Sequence, residues 1–281
     1  MITGSFMIHI ISSKKDIAGL NITKQLLKNY PFKETTISTK ENPQYSINLL
    51  GKTVFLTIID EETIKTQNLL EAFQNSTLIV FISRHCSSSC KPTFSVHTPG
   101  NLYAAEMGGG LPKKVSISPG LAMKNALRAL AYFRDGLKLV FDVSYECTHH
   151  GPSYNVPTMF VELGSSNNEW RNSKVAEVVG HAAISAISKF KTSKNNAVLG
   201  IGGTHYNQKF TKLALDSEII FGHIIPKYLI HYVDSKILNQ CVEKTVEKVE
   251  CAILDWKGIK SSDKPQLLGI LKDINLPYKK I

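Results

Sequence analysis

The sequence predicts an α/β protein built on a mixed, largely parallel sheet with helices on both faces. Two observations carry that prediction. Short apolar runs rich in Val, Ile and Phe alternate with stretches of helical periodicity along the 281 residues. One run, Leu78 to Ser83 (LIVFIS), has the pattern of a parallel strand covered on both faces. Hydrophobic residues are 43% and charged residues 20%, so a full core is available and a disordered chain is excluded.

The elements follow in order. Phe6 to Ile11 is the first strand. Asp16 to Tyr30 repeats Ile17, Leu20, Ile22, Leu26 and Leu27 and stops at Pro31, which makes it a helix. Tyr45 to Leu49 and Lys52 to Ile59 are strands around Gly51, and Leu70 to Phe73 belongs to a short helix. After LIVFIS comes HCSSSCK (85–91), the one candidate boundary between lobes 1–84 and 85–281 of a single compact unit spanning 1–281. Phe94 to His97 is a strand, Gly108-Gly109-Gly110 a flexible loop, and Pro119 to Leu137 a helix. Leu139 to Tyr145 and Thr158 to Leu163 are strands; Trp170 to Phe190 reads as one long helix. Ala197 to Ile201 is a strand closing on Gly202-Gly203. A helix over Gln208 to Leu215, strands over Glu218 to Phe221 and Val249 to Leu254, and a helix from Ser262 to Ile274 complete the pattern. Met107, Met123 and Met159 read as core or loop filler.

Lys and Arg number 33 against 23 Asp and Glu, a net charge of +10 that points to an anionic partner. Five cysteines make no disulfide framework, and Cys86 and Cys90 read as ordinary thiols. Met1 to Ser13 lacks a basic leader and a cleavage site, and no apolar stretch is long enough to span a bilayer. The expectation is a cytoplasmic monomer with no membrane association. No GxxxxGK[ST], early GxGxxG, GxSxG or HExxH is present, which removes the motif basis for an NTPase, a dinucleotide enzyme, an α/β-hydrolase or a zincin.

Four segments share one grammar, an apolar strand followed at once by a turn with His or carboxylate: FSVHTPGN (94–101), FDVSYECTHHGP (141–152), MFVELGSS (159–166) and LGIGGTHYN (199–207). Open α/β sheets bind ligands outside the carboxyl ends of their strands. His97, Glu146, His149, His150, Glu162 and His205 are therefore expected on one rim. Imidazole and carboxylate together suit zinc. Gly202-Gly203-Thr204 offers backbone amides to an anion or a developing oxyanion, or is simply a tight turn. On the helix from Pro119, Lys124, Arg128, Arg134 and Lys138 fall in one arc of about 120°, opposite the apolar face, with Lys113 and Lys114 leading in. Such a stripe can track a phosphate backbone, or be a solvated face.

HTPGN (97–101), ECTHHGP (146–152), VELGSS (161–166) and GGTHYNQKFT (202–211), in this order, resemble the archaeal and plant type of D-aminoacyl-tRNA deacylase. The resemblance implies hydrolysis of the ester of D-aminoacyl-tRNA, a chiral proofreading activity with tRNA as partner. It also implies a zinc requirement and a phosphorylase/hydrolase-like α/β fold related to peptidyl-tRNA hydrolase. On that basis His150, Glu162 and His205 are expected to bind Zn2+ or activate water. His97 and His149 would orient the ester, and Thr204 is a less favoured nucleophile. Gly100, Asn101, Gly202, Gly203, Lys113, Lys114, Lys124 and Arg128 would contact the substrate. A zinc-dependent peptidase or amidohydrolase, and a non-catalytic RNA-binding protein, are the alternatives.

Overall fold

The computed structural model describes residues 6–36, 43–103, 108–190 and 195–281; Met107 lies outside them. The chain runs β1 (Met7–Ser13), α1 (Ile17–Asn29), β2 (Lys33–Glu34), β3 (Gln44–Leu49), β4 (Lys52–Ile59), α2 (Leu70–Phe73), β5 (Leu78–Arg84), β6 (Thr93–His97), β7 (Gly100–Asn101), β8 (Lys114–Val115), α3 (Gly120–Gly136), β9 (Asp142–Tyr145) and β10 (Thr158–Gly164). It continues with α4 (Asn167–Arg171), α5 (Ser173–Ser188), β11 (Asn196–Ile201), α6 (Gln208–Asp216), β12 (Phe221–Ile225), α7 (Ser235–Glu243), β13 (Lys248–Leu254), α8 (Lys264–Asp273) and β14 (Tyr278–Lys280).

A mixed eight-stranded sheet has the order β2-β3-β4-β1-β5-β10-β6-β9. Its centre, β4-β1-β5-β10, is parallel, β6 is antiparallel to β10, and β9 is parallel to β6. The sheet takes strands from both sides of residue 84, because β5 pairs with β10. Helices α1, α3 and α5 bury one face around Ile22, Leu130 and Val179. Phe73 of α2 and the loop residues Tyr154 and Val156 cover the other, against Phe81 and Phe160. A second, fully parallel sheet, β12-β11-β13-β14, carries α7 and α8 on one face and α6 on the other.

Local chemistry sets the boundaries. Asp16 caps α1, its Oδ1 accepting from Gly19 N at 3.0 Å. The expected long helix from Trp170 is two helices. Ser166 and Glu169 form a capping box that starts α4, and Asn172, extended at φ −77° and ψ 110°, ends it and caps α5 through Lys174 N. The strand expected at Glu218 begins at Phe221; the Glu218 carboxylate points outward to Arg128 instead.

Candidate active site

The strand-end residues meet where the two sheets join. Beyond β9 the segment Glu146-Cys147-Thr148 leaves one sheet for the other. Glu146 N donates to Val96 O (3.0 Å), Cys147 N to His205 O (3.0 Å) and Thr148 N to Ile224 O (2.8 Å). The chain then turns at His150, where φ is +45°, and Gly100 N donates to His150 O at 2.7 Å, pinning the turn beside the end of β6. The Gly-rich loop lies against this turn. Gly109 sits at φ +79°, and a Cβ there would fall 2.1 Å from Ile64 O, so only glycine fits.

The buried heart is an array of opposite charges. Glu146 Oε2 accepts from His205 Nε2 at 2.8 Å, and Glu146 Oε1 lies 3.1 Å from His85 Nδ1. His85 Nδ1 is also 3.6 Å from Glu162 Oε2, while Ser83 Oγ donates to Glu162 Oε1 at 2.6 Å. Burial opposes charge on all four groups, but the pairing wins. The contacts with Glu146 and Glu162 raise the His85 pKa to about 11. Bonds to Cys147 and Glu146 do the same for His205, also to about 11. Glu146, beside His205 and His85, is held well below the usual carboxylate range, and Glu162, beside His85 and His97, is likewise lowered. Two imidazolium ions thus balance two carboxylates. The other N–H of His205, on Nδ1, is shared between Tyr228 OH at 3.0 Å and Cys147 Sγ at 3.3 Å. The Nε2 of His85 donates to Tyr206 OH at 3.0 Å.

Next to this array stand three histidines of another kind. His149 Nδ1 donates to Cys147 O at 2.8 Å and His150 Nδ1 to Gly151 O at 2.6 Å, which fixes both tautomers and leaves each Nε2 lone pair free. Burial and the neighbouring imidazoles lower the His149 pKa well below its ordinary value and that of His150 to about 4. His97 is 1% exposed, and neither ring nitrogen has a hydrogen-bond partner. One ligand atom from each of His97, His149 and His150 lies within 4.8 Å of the others. Imidazoles with fixed tautomers and lowered proton affinity, as His149 and His150 are, suit a metal.

Two cavities share these residues. A polar one of about 450 Å³ is lined by Lys15, Asp16, Glu62 and Arg84 and reaches Glu146, Glu162 and His85. A more apolar one of about 350 Å³ is lined by Leu102, Tyr103, Tyr228 and Leu229. Both open onto His149, His150 and His205.

His97, His149, His150, Glu162 and His205 converge as the sequence predicts, and Glu162 is buried on an interior strand rather than wet on an edge. The set His150, Glu162 and His205 does not form one ligand group. Each falls in a different cluster: His97–His149–His150, His85–Glu146–Glu162 and Cys147–His149–His205. Thr204 is corrected as a nucleophile, since its hydroxyl donates to Tyr206 O at 2.6 Å and meets no base. Gly202 N is spent on Ile225 O at 2.8 Å and is no oxyanion donor; Gly202 and Gly203, at φ +107° and +76°, serve the turn. Gly100 and Asn101 line the apolar cavity, and Asn101 Nδ2 ties down the Gly-rich loop through Gly109 O at 2.8 Å.

The basic face of α3 is also corrected. Lys124 is buried with Nζ 2.7 Å from Ser217 O, and Arg128 grips Ser217 O (3.0 Å) and Glu218 (2.8 Å), so both dock the end of α6 instead of facing a substrate. Lys113 pairs with Asp234 at 2.8 Å, and Lys114 is exposed. Sequence reasoning missed His85, although it too follows an apolar strand at once. It placed Glu146 on the rim without a chemical role, and it passed over Cys147, Tyr206 and Tyr228.

The family model described as D-aminoacyl-tRNA deacylase matches residues 72–279. Proteins named D-aminoacyl-tRNA deacylase from Thermococcus onnurineus and Thermococcus kodakarensis are 36% and 34% identical over 275 residues, covering 96% of this chain and 98% of each of theirs. Among solved structures, a conserved protein of unknown function is similar at TM-score 0.85 and 30% identity, over 99% of this chain and 95% of that one.

Proposed function

The chain belongs to the D-aminoacyl-tRNA deacylase family and hydrolyses the ester joining a D-amino acid to tRNA; we propose that the histidine–carboxylate centre between the two cavities carries this reaction. The observation behind the assignment is that His149, His150 and His205 line both cavities at once. An ester bound across them would place its carbonyl at the histidines, with the acyl side chain on the apolar side and the ribose on the polar side. The L-enantiomer, set down in the same way, would turn its side chain into the histidine wall, and the clash would reject it.

His205 is held as an imidazolium by Glu146, and its Nδ1–H polarises Tyr228 OH. The phenol proton is then free to stabilise the oxyanion that develops on the carbonyl. Glu162 and Ser83 fix the floor beneath His97, whose Nε2 lies 3.7 Å from Glu162 Oε2. The donor set His97, His149 and His150 fits zinc, because both nitrogens of His97 are orphaned and the other two rings have locked tautomers. Zinc bound there would supply a means of ionising water near neutral pH, which two carboxylates held so acidic supply poorly as bases. Among the described residues no helix is long and apolar enough to cross a membrane. The deciding assay is release of free amino acid from matched D- and L-aminoacyl-tRNA, with and without chelator. Equal rates on the two enantiomers would remove the two-cavity account.

A further inference from the structure

The fold leaves an unassigned cationic rim beside the centre. All four strands of the smaller sheet run parallel, so the turns that follow β11 and β13 and the end of β14 share one edge. The turn after β11 carries His205. The loop after β13 packs on that turn: Asp255 N donates to Ile201 O at 2.9 Å, and a Cβ on Gly202 would lie 3.1 Å from Asp255 Cβ. The same loop presents Trp256, Lys257 and Lys260, with Lys264 opening α8 behind it. Lys279 and Lys280 close the edge on β14, and Trp256 N donates to Ile281 O at 3.2 Å.

These charges are gathered, not scattered. The Nζ of Lys280 lies 3.8 Å and that of Lys264 4.5 Å from the centroid of the one Trp256 ring. Cation–π attraction holds two like charges close together. Among the described residues none of the five lysines forms an ion pair. Of the carboxylates of that loop, Asp255 pairs with Lys209, and Asp263, 8% exposed, accepts from Ser262 Oγ through Oδ1 and ion-pairs with none of the five lysines. Unneutralised ammonium groups fixed side by side suit a ligand with closely spaced negative charges. Lys279 and Lys280 would also discourage pairing at the β14 edge, but Lys257, Lys260 and Lys264 are not on that strand.

We propose that this rim, Lys257, Lys260, Lys264, Lys279 and Lys280 around Trp256, binds the phosphate backbone of the tRNA acceptor arm as its aminoacyl end enters the centre. The inference rests on tRNA being the substrate. The test is the double variant Lys264→Gln/Lys280→Gln in the full chain, with melting curves as the folding control. KM for D-aminoacyl-tRNA should rise about tenfold near 0.1 M salt with kcat within about twofold, and the slope of log affinity against log salt should fall by about 0.7 to 0.9 per lost contact. Hydrolysis of D-aminoacyl-adenosine, which has no RNA body, should be unchanged. An unaltered KM and salt slope, or an equal loss on both substrates, would overturn the proposal. Filter titration with uncharged tRNA reads the rim independently of hydrolysis. Weaker binding by the variant supports the rim even if wild-type protein fails on D-aminoacyl-tRNA, a result that would strike the assigned reaction alone.

Discussion

Truncating Lys124 to Ala should destabilise the protein and leave its affinity for tRNA untouched. The side chain is 1% exposed and its Nζ donates to Ser217 O at 2.7 Å. Ala deletes the methylenes beyond Cβ, about 2.4 kcal/mol of buried hydrocarbon at about 0.8 kcal/mol each. Loss of a charged hydrogen bond adds about 1 to 2 kcal/mol. Relief of the ammonium's burial, which lowers its pKa, offsets part of this. Ser217 O keeps Arg128 Nη2 at 3.0 Å, so no buried acceptor is orphaned. The net cost is about 2 to 3 kcal/mol, a fall in Tm of about 3 to 5 °C for a chain of this length. Lys124→Met keeps most of the stem and should cost only about 1 kcal/mol. Melting curves and a filter-binding salt series on both variants decide the matter. An Ala variant that melts with wild type but binds tRNA with a shallower salt slope would return α3 to the RNA surface and refute the docking role.

Tyr228→Phe should slow single-turnover hydrolysis by about ten- to hundredfold, with Tm and KM little changed, because it deletes one oxyanion donor; an unaltered rate would place the oxyanion elsewhere. Glu146→Gln removes the anion shared by His205 and His85, so a rate loss of at least about a hundredfold and a clear drop in Tm are expected; a stable, active variant would dissolve the charge array. Elemental analysis should find zinc in wild-type protein and less in His149→Ala, in step with activity; full activity in metal-free protein would take zinc out of the reading. His9, buried against Phe55 and Phe73 with Nδ1 unpartnered, has its pKa lowered by burial from 6.5 to about 4. The unfolded chain therefore binds a proton first. The stability is complete above pH 6.5 and lost as pH falls toward 4, by about 3 kcal/mol in all. His9→Phe should flatten the Tm profile in that window; an unchanged profile would show that His9 is not the group being charged.

The sheet order is built from strands whose apolar runs are plain in the chain, and the pattern bounds Lys52 to Ile59 as the strand is found. The histidine rim was legible because a polar ring directly after an apolar strand must emerge at a sheet edge. What the chain could not reveal is who faces whom. A helical wheel shows that Lys124 and Arg128 share a side of α3, but not that the carbonyl of Ser217, far along the sequence, closes over them. The division of site histidines into a charged pair, His85 and His205, and a pair of low proton affinity, His149 and His150, depends on distances to Glu146 and Glu162 that spacing does not encode. The break at Asn172 was readable, since Ser166, Glu169 and Asn172 are ordinary capping residues, but the apolar stripe running past them masked it.

The crossing of residues 146–148 from one sheet to the other has a consequence for biosynthesis. His97, His149 and Glu162 emerge from the ribosome well before His205, and His205 is seated by β11 between β12 and β13. The nascent chain cannot assemble its charge array until those later strands have emerged and docked. The order of the strands thus sets the order in which the centre can be completed, with the turn that bears His205 held only once β12 and β13 flank β11.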